Sequence, residues 1–262
     1  MTQTTPGGVR VEIDGPVAVV TIDRPEVRNA IGFATMDELG TALDEVAASE
    51  ASVLVLRGGG DRAFVSGGDL KELNAVRSHE DARNMASRAR RLLDRIADFP
   101  VPVIAALNGH ALGGGAETAV AADIRIAPDD ISIGFNQVSL GIMPAWGGVE
   151  RLALLIGRGR AILAITSGRI YDASAALEIG LVDIVVPRAS FEGEWRSLAE
   201  RIGAIAPGAG RAVKSVVNAA VPAAHPDLEA VATDAFATLW ASDAHWEAVE
   251  AMTKGRSGPP RP

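Results

Sequence analysis

No cysteine occurs in the 262 residues, which excludes disulfides, thiolate nucleophiles and cysteine-based metal sites. The four histidines, His79, His110, His225 and His245, are scattered. No two are spaced to share a helix face, so no metal centre is expected. No basic run interrupts a net charge of −8, and an acidic chain without a basic patch is not expected to bind nucleic acid. An apolar stretch of about 18 residues, the length a membrane span needs, is missing too. The opening Met1–Gly8 has neither the basic nor the apolar region of a secretory signal, which makes a cytoplasmic location the expectation.

Several catalytic signatures are also absent. A phosphate loop needs Gly-x-x-x-x-Gly-Lys-Ser/Thr, and no such string exists; Gly58–Gly60 and Gly157-Arg-Gly159 do not fit the Gly-x-Gly-x-x-Gly dinucleotide spacing. Ser66 lacks the Gly-x-Ser-x-Gly of a hydrolase elbow, because Phe64 stands at the first glycine. Nucleotide hydrolysis, hydride transfer and serine hydrolysis are disfavoured on these grounds.

What is present is the composition of an ordinary globular protein, 48% apolar and 22% charged, with enough apolar material for a large core. Val- and Ile-rich runs at 17–22, 53–56, 103–106, 124–127 and 182–186 predict strands. Helical spacing between them predicts helices over 35–48, with Thr35 as N-cap, over 79–98 and over 148–156. The pattern is alternating α/β. After about Ser190 the strand signal stops, and the rest reads as helices broken at Pro207, Pro222 and Pro226. The last residues, 255–262, read as a frayed tail.

Two glycine-rich turns carry most of the functional information. Ala63–Leu70 reads Ala-Phe-Val-Ser-Gly-Gly-Asp-Leu and Asn108–Glu117 reads Asn-Gly-His-Ala-Leu-Gly-Gly-Gly-Ala-Glu. Each follows an apolar strand and leads into a helix, whose first N–H groups lack intrahelical partners and are left uncovered where no Cβ intervenes. Two such ends facing one another form an oxyanion hole. Glu117, one turn past Gly114, brings a carboxylate to the same place. Asp69 reads as a cap of the helix that follows it, and His110 as a supporting residue rather than an acid or base.

At these residues the chain resembles the crotonase superfamily, the enoyl-CoA hydratase/isomerase proteins. The resemblance also takes in Asp23–Ala30 (Asp-Arg-Pro-Glu-Val-Arg-Asn-Ala), Leu140–Gly148 (Leu-Gly-Ile-Met-Pro-Ala-Trp-Gly-Gly) and Ala175–Val182. It implies an α/β fold, a spiral of ββα units over residues 1–190 that binds acyl-CoA, with a C-terminal helical oligomerisation region at 191–262. Relatives form trimers and dimers of trimers, so a homotrimer or hexamer is expected. The resemblance gives the oxyanion N–H groups to Gly68 and Gly114 and makes Glu117 the first of the family's two catalytic glutamates. Gln137 stands where the second would be; it can orient a water or substrate group but carries no titratable proton.

Coenzyme A, here part of the substrate, needs local cations for its phosphates. Arg24, Arg28 and Lys71, with Arg62 beside them, are the candidates, and the backbone near Ala30 and Ala63 helps to hold the coenzyme in relatives. Trp146 is expected to narrow the acyl pocket. Phe236 and the 254–256 region fall where relatives meet the adenine end, although Met252 and Gly255 replace the usual aromatic and lysine. No separate cofactor or metal is implied. The implied activity is hydration or isomerisation of an enoyl-CoA through a thioester enolate. Alternatives are decarboxylation of an alkylmalonyl-CoA, since ethylmalonyl-CoA decarboxylase-type members also lack the second glutamate, and non-catalytic acyl-CoA binding.

Overall fold

The Val- and Ile-rich runs become the centre of a large sheet in the computed structural model, which describes residues 3–4, 8–206, 208–220 and 228–255. Through the first half of the chain the elements are β1 (Gln3–Thr4), β2 (Val9–Asp14), β3 (Val17–Ile22), α1 (Phe33–Ala47), β4 (Val53–Gly58), β5 (Ala63–Val65), α2 (Leu70–Leu73), α3 (His79–Ala97), β6 (Val103–Ala106), β7 (His110–Leu112) and α4 (Gly114–Ala121). Then come β8 (Ile124–Pro128), β9 (Ser132–Gly134), a 3-10 turn at Gln137–Leu140, α5 (Gly148–Ile156), α6 (Arg158–Thr166), β10 (Ile170–Asp172), α7 (Ala173–Glu178), β11 (Ile184–Val186), α8 (Phe191–Gly203), α9 (Ala209–Ala220), α10 (Leu228–Trp240) and α11 (Asp243–Gly255).

Seven strands make the larger sheet in the order β1-β2-β3-β4-β6-β8-β11. Its first two pairings are antiparallel and the rest parallel. Successive residues of its strands are buried on opposite faces: Val20, Leu54, Leu56, Val103 and Ala105 join the main core, while Val19, Val53, Val55, Ile104 and Ala106 pack under Phe191, Trp195 and Ala199 of α8. Burial on both faces explains why the sequence shows unbroken apolar runs here rather than alternation. α8 is thus a lid on the sheet.

The smaller sheet, β10-β9-β7-β5, sets up the site. Its strands β5, β7 and β9 are parallel neighbours, so their C-terminal ends lie along one edge. From that edge the chain delivers, in turn, Gly67–Asp69, Gly113–Glu117 and Asn136–Gln137. Each strand has only three residues, too few to show a period, and this is why the sequence predicts none of the four and counts β5 and β7 as the opening residues of the two glycine-rich turns.

Helix α3 is capped by the Ser78 side chain on the Asp81 N–H, and α5 matches its predicted span. Thr35, however, is not an N-cap. α1 starts at Phe33 after Gly32, and the Phe33 N–H donates to Glu72 Oε1 at 2.9 Å. The cap comes from 39 residues away, beyond the reach of any local pattern. Pro207, Pro222, Pro226 and the tail beyond 255 lie outside the described residues. Leu73, Val76, Met85, Ile142 and Ala145 form a second apolar cluster with Phe236, Ala237 and Trp240 of α10.

Candidate active site

A cleft of about 560 Å³ opens along the edge reached by the three short strands, and Gly68, Gly114, Glu117, Gln137 and Trp146 all line it. Gly68 forms a parallel bridge with Ile31: the Ile31 N–H donates to the Gly67 carbonyl, and the Asp69 N–H to the Ile31 carbonyl, both at 2.9 Å. Since those flanking groups face Ile31, the N–H of Gly68 itself faces the other way. Gly114 is the first residue of α4, and its N–H has no intrahelical acceptor. The preceding Gly113 has φ of 56° and ψ of −120°, a conformation that L side chains rarely adopt.

Both glycines lie against one indole. A Cβ on Gly114 would run into the six-membered ring of Trp146, and one on Gly68 would sit 3.7 Å from that ring and 2.7 Å from Leu73 Cδ1. The two turns are packed backbone to backbone, for a Cβ on Gly67 would lie 3.4 Å from the Gly114 nitrogen.

Glu117 is 2% exposed and is held from both sides. Its Oε2 accepts the N–H groups of Trp146 at 2.7 Å and Gly148 at 2.9 Å, and its Oε1 accepts from Gln137 Nε2 at 2.9 Å. Burial pushes its pKa up to about 7, against the opposing pull of the Gly148 and Trp146 N–H groups; Glu150 adds to the rise and Arg151 counters it. Desolvation wins because it penalises the ionised form only. A buried carboxylic acid that titrates near neutrality, beside two uncovered N–H groups, suits proton transfer at a carbon next to a carbonyl. The Trp146 and Gly148 donors were not read from the sequence; the double glycine after Trp146 was the available signal.

The other expected residues divide. Arg28, Ala30, Lys71 and Phe236 line the cleft. Arg24 does not: its Nη1 donates to the Ala30 carbonyl at 2.7 Å and to Thr35 Oγ1, and its Nη2 pairs with Asp69 at 3.1 Å. It clamps the turn that presents Arg28 and Ala30, so its guanidinium is already committed. Ala63 is outside the cleft as well. Its carbonyl accepts from Asn29 and Asn108 side chains at 2.7 and 3.2 Å, and it borders a second cavity of about 330 Å³ with Arg62, His110, Asp130 and Arg188. Ser66 takes its place on the main cleft. Asp69 accepts the Lys71 N–H at 3.2 Å as a cap. His110 Nδ1 accepts the Ser132 N–H at 3.0 Å. Met252 lines the cleft, whereas Lys254 pairs with Glu250 on the surface, and Arg256 lies outside the described residues.

The far end of the cleft is apolar. Leu73, Met85, Ile142, Met143, Phe236 and Trp240 wall it, and the one polar atom of the Trp240 ring is turned away to the Val76 carbonyl at 2.9 Å.

Comparison with known proteins identifies the family. The profile of the enoyl-CoA hydratase/isomerase family matches residues 12–256. The chain is 34% identical over 249 residues to the short-chain-enoyl-CoA hydratase of Clostridium acetobutylicum, covering 95% of each. It is 32% identical to the crotonyl-CoA hydratase of Syntrophomonas wolfei, over 94% of this chain and 95% of that one. Among solved structures, the enoyl-CoA hydratase of Bacillus anthracis superposes with a TM-score of 0.78 at 32% identity, over 96% of this chain and 98% of that one. The fold expected from the resemblance is therefore the fold observed, and the chain belongs to the enoyl-CoA hydratase/isomerase family.

Proposed function

We propose that the protein hydrates or isomerises an enoyl-CoA, with the thioester carbonyl held between the N–H groups of Gly68 and Gly114. The observation that carries this reading is Glu117, a buried carboxylate held by three hydrogen bonds beside those two glycines. As a water oxygen bonds to Cβ, Glu117 takes the water's proton and the negative charge moves to the thioester oxygen, where the two N–H groups stabilise it. Glu117 then returns the proton to Cα. One carboxylate thus serves as base and acid, helped by a pKa near neutrality. In isomerisation the same group removes a proton from one end of the allylic system and returns it to the other. Gln137 orients Glu117 through its Nε2.

Arg28 and Lys71 at the cleft mouth meet the coenzyme phosphates, and the backbone at Ala30 and Ser66 borders the coenzyme. Trp146 backs the reacting carbons, and Phe236, expected from the resemblance at the adenine end, is read instead as part of the apolar end that receives the acyl chain, because it packs with Met85, Ile142 and Trp240. Residues 1–190 form the acyl-CoA-binding spiral. The expected division at 190 is blurred, because α8 covers the sheet and α10 walls the cleft; the part of 191–262 that supports oligomerisation, as a homotrimer or dimer of trimers, is α9 with its exposed Val213, Val216 and Val217. Among the described residues no helix is long and apolar enough to cross a membrane; a cytoplasmic location is our reading. The relatives named above are hydratases, and none of them is a decarboxylase.

The test is an assay of purified protein with crotonyl-CoA, a 3-enoyl-CoA and ethylmalonyl-CoA. Hydration or double-bond migration without CO₂ release is expected. Tight acyl-CoA binding with no turnover of any thioester would replace this reading with a binding protein.

A further inference from the structure

Glu117 depends on the turn at 146–148, and that turn has no side chain of its own to fix it at Gly147, where φ is 89°. What fixes it is Arg151. Its Nη1 donates to the Trp146 carbonyl at 3.1 Å, while its Nη2 pairs with Asp94 of α3. The guanidinium lies so close over Gly147 that a Cβ there would run into it. Asp94 is also 3.7 Å from Arg90 Nε, and Arg90 Nη2 pairs with Glu150. Two cations and two anions thus join α3 to the start of α5 immediately behind the buried carboxylate.

The placement is unfavourable by local rules. Arg151 is the fourth residue of α5, close to the end where the helix dipole disfavours a cation. Its side chain is only 15% exposed, so it is also removed from most of the water. A tertiary role offsets those costs. The backbone of Trp146 accepts from Arg151 at its carbonyl and donates to Glu117 from its N–H, so the turn is gripped on both sides of one residue.

We propose that Arg151 is a positioning residue for the reaction: by holding the Trp146 carbonyl it keeps the Trp146 and Gly148 N–H groups on Glu117. The proposal rests on the reading of Glu117 as the acid/base. The charged groups behind Glu117 are Glu150 and Arg151 from α5, with Arg90 and Asp94 from α3; Gln137, on the other side, is neutral. Arg151 favours the ionised carboxylate and Glu150 opposes it.

The experiment is the pH dependence of kcat and KM for hydration or isomerisation in wild type, Arg151→Met, Arg151→Lys and Glu150→Gln, with thermal unfolding as a check on folding. If ionised Glu117 is the active form, kcat climbs with pH through a limb near 7. Arg151→Met should move that limb to higher pH and lower plateau kcat by about 10- to 100-fold, the range of a displaced catalytic group, with KM changed less than about threefold. Arg151→Lys should bring the limb back towards wild type and restore only part of kcat, because an ammonium keeps the charge but not the two-armed reach. Glu150→Gln should move the limb the other way. Loss of kcat in Arg151→Met with an unmoved limb, or equal behaviour of all variants, overturns the proposal. If Arg151→Met does not fold, Arg151→Lys decides it: a partial loss of kcat with KM changed less than about threefold supports the proposal, and wild-type kcat overturns it. A wild type without turnover, or a Glu117→Gln variant as active as wild type, instead overturns the reading on which it rests.

Discussion

The two walls of the cleft are made of different material. The wall with Gly68 and Gly114 is backbone pressed against backbone, and Glu117, the acid/base proposed above, is held mainly by backbone N–H groups. The wall with Met85, Phe236 and Trp240 is side chain against side chain, contributed by α3 and α10. Backbone donors cannot change rotamer, so the first wall holds a fixed geometry for charge that develops in the reaction. Side chains can repack when volume is roughly conserved, so the second wall can be altered while the chemistry stays. Mutations on the first should reduce kcat and mutations on the second should change stability and substrate choice.

The sharpest break is Glu117→Gln. The other carboxylates lining the cleft are Glu26 and Asp69, and that of Asp69 is taken up by Arg24 and the Lys71 N–H, so turnover should fall by about 10²–10⁴-fold, the usual worth of a positioned acid/base, measured as initial rates at saturating crotonyl-CoA or 3-enoyl-CoA. Retention of more than a tenth of the wild-type rate would show that Glu117 is structural. Next is Gly114→Pro, which removes the N–H and crowds the Trp146 ring. It should cost about 100-fold or more in kcat, provided circular dichroism shows the fold intact.

Gln137→Glu tests the boundary between the walls. It places a carboxylate where Gln137 Nε2 now donates to Glu117 at 2.9 Å. The two acids then share a proton, which raises one pKa further. Hydration of a short enoyl-CoA should increase several-fold through the added acid/base, with its pH optimum moved upward; no change in rate or profile would show that Gln137 does not face the substrate.

Glu117 also ties stability to pH. Its pKa is about 7 in the folded protein and near 4.3 in an unfolded chain, so between those values the native state binds more protons and stability falls as pH rises. The contribution is on the order of 3 kcal/mol, present below about pH 4 and lost by pH 8. Urea unfolding should show this slope in wild type and a flatter one in Glu117→Gln. The smallest effect on kcat is expected for Phe236→Ala. That change should destabilise by about 3–5 kcal/mol yet leave kcat of the folded enzyme within about tenfold.

The same division decides what could be read from the sequence. The strands of the large sheet were legible because burial on both faces leaves long Val and Ile runs, and α3 because its apolar residues recur at helical spacing. The glycine turns were legible because their residues are contiguous. Arg24 was expected at the coenzyme phosphates, whereas the structure engages its guanidinium with Ala30, Thr35 and Asp69, which are 6, 11 and 45 residues away. The cap of α1 by Glu72 and the grip of Arg151 on the Trp146 turn were hidden for the same reason, since neither is encoded in a window. Gln137 could be placed only through the resemblance, and the hydrogen bond that gives it a purpose appears only once β7 and β9 lie side by side.

Gly115 and Gly148 touch no substrate in this account, yet neither has room for a methyl group: a Cβ on Gly115 would run into the Val65 carbonyl, and one on Gly148 into the Glu117 side chain. A saturation scan scored on activity alone would therefore mark both as inactivating at every substitution, indistinguishable from Glu117 itself. In this enzyme the map of intolerance is wider than the map of chemistry, and the excess records where one piece of main chain must lie flush against its neighbour.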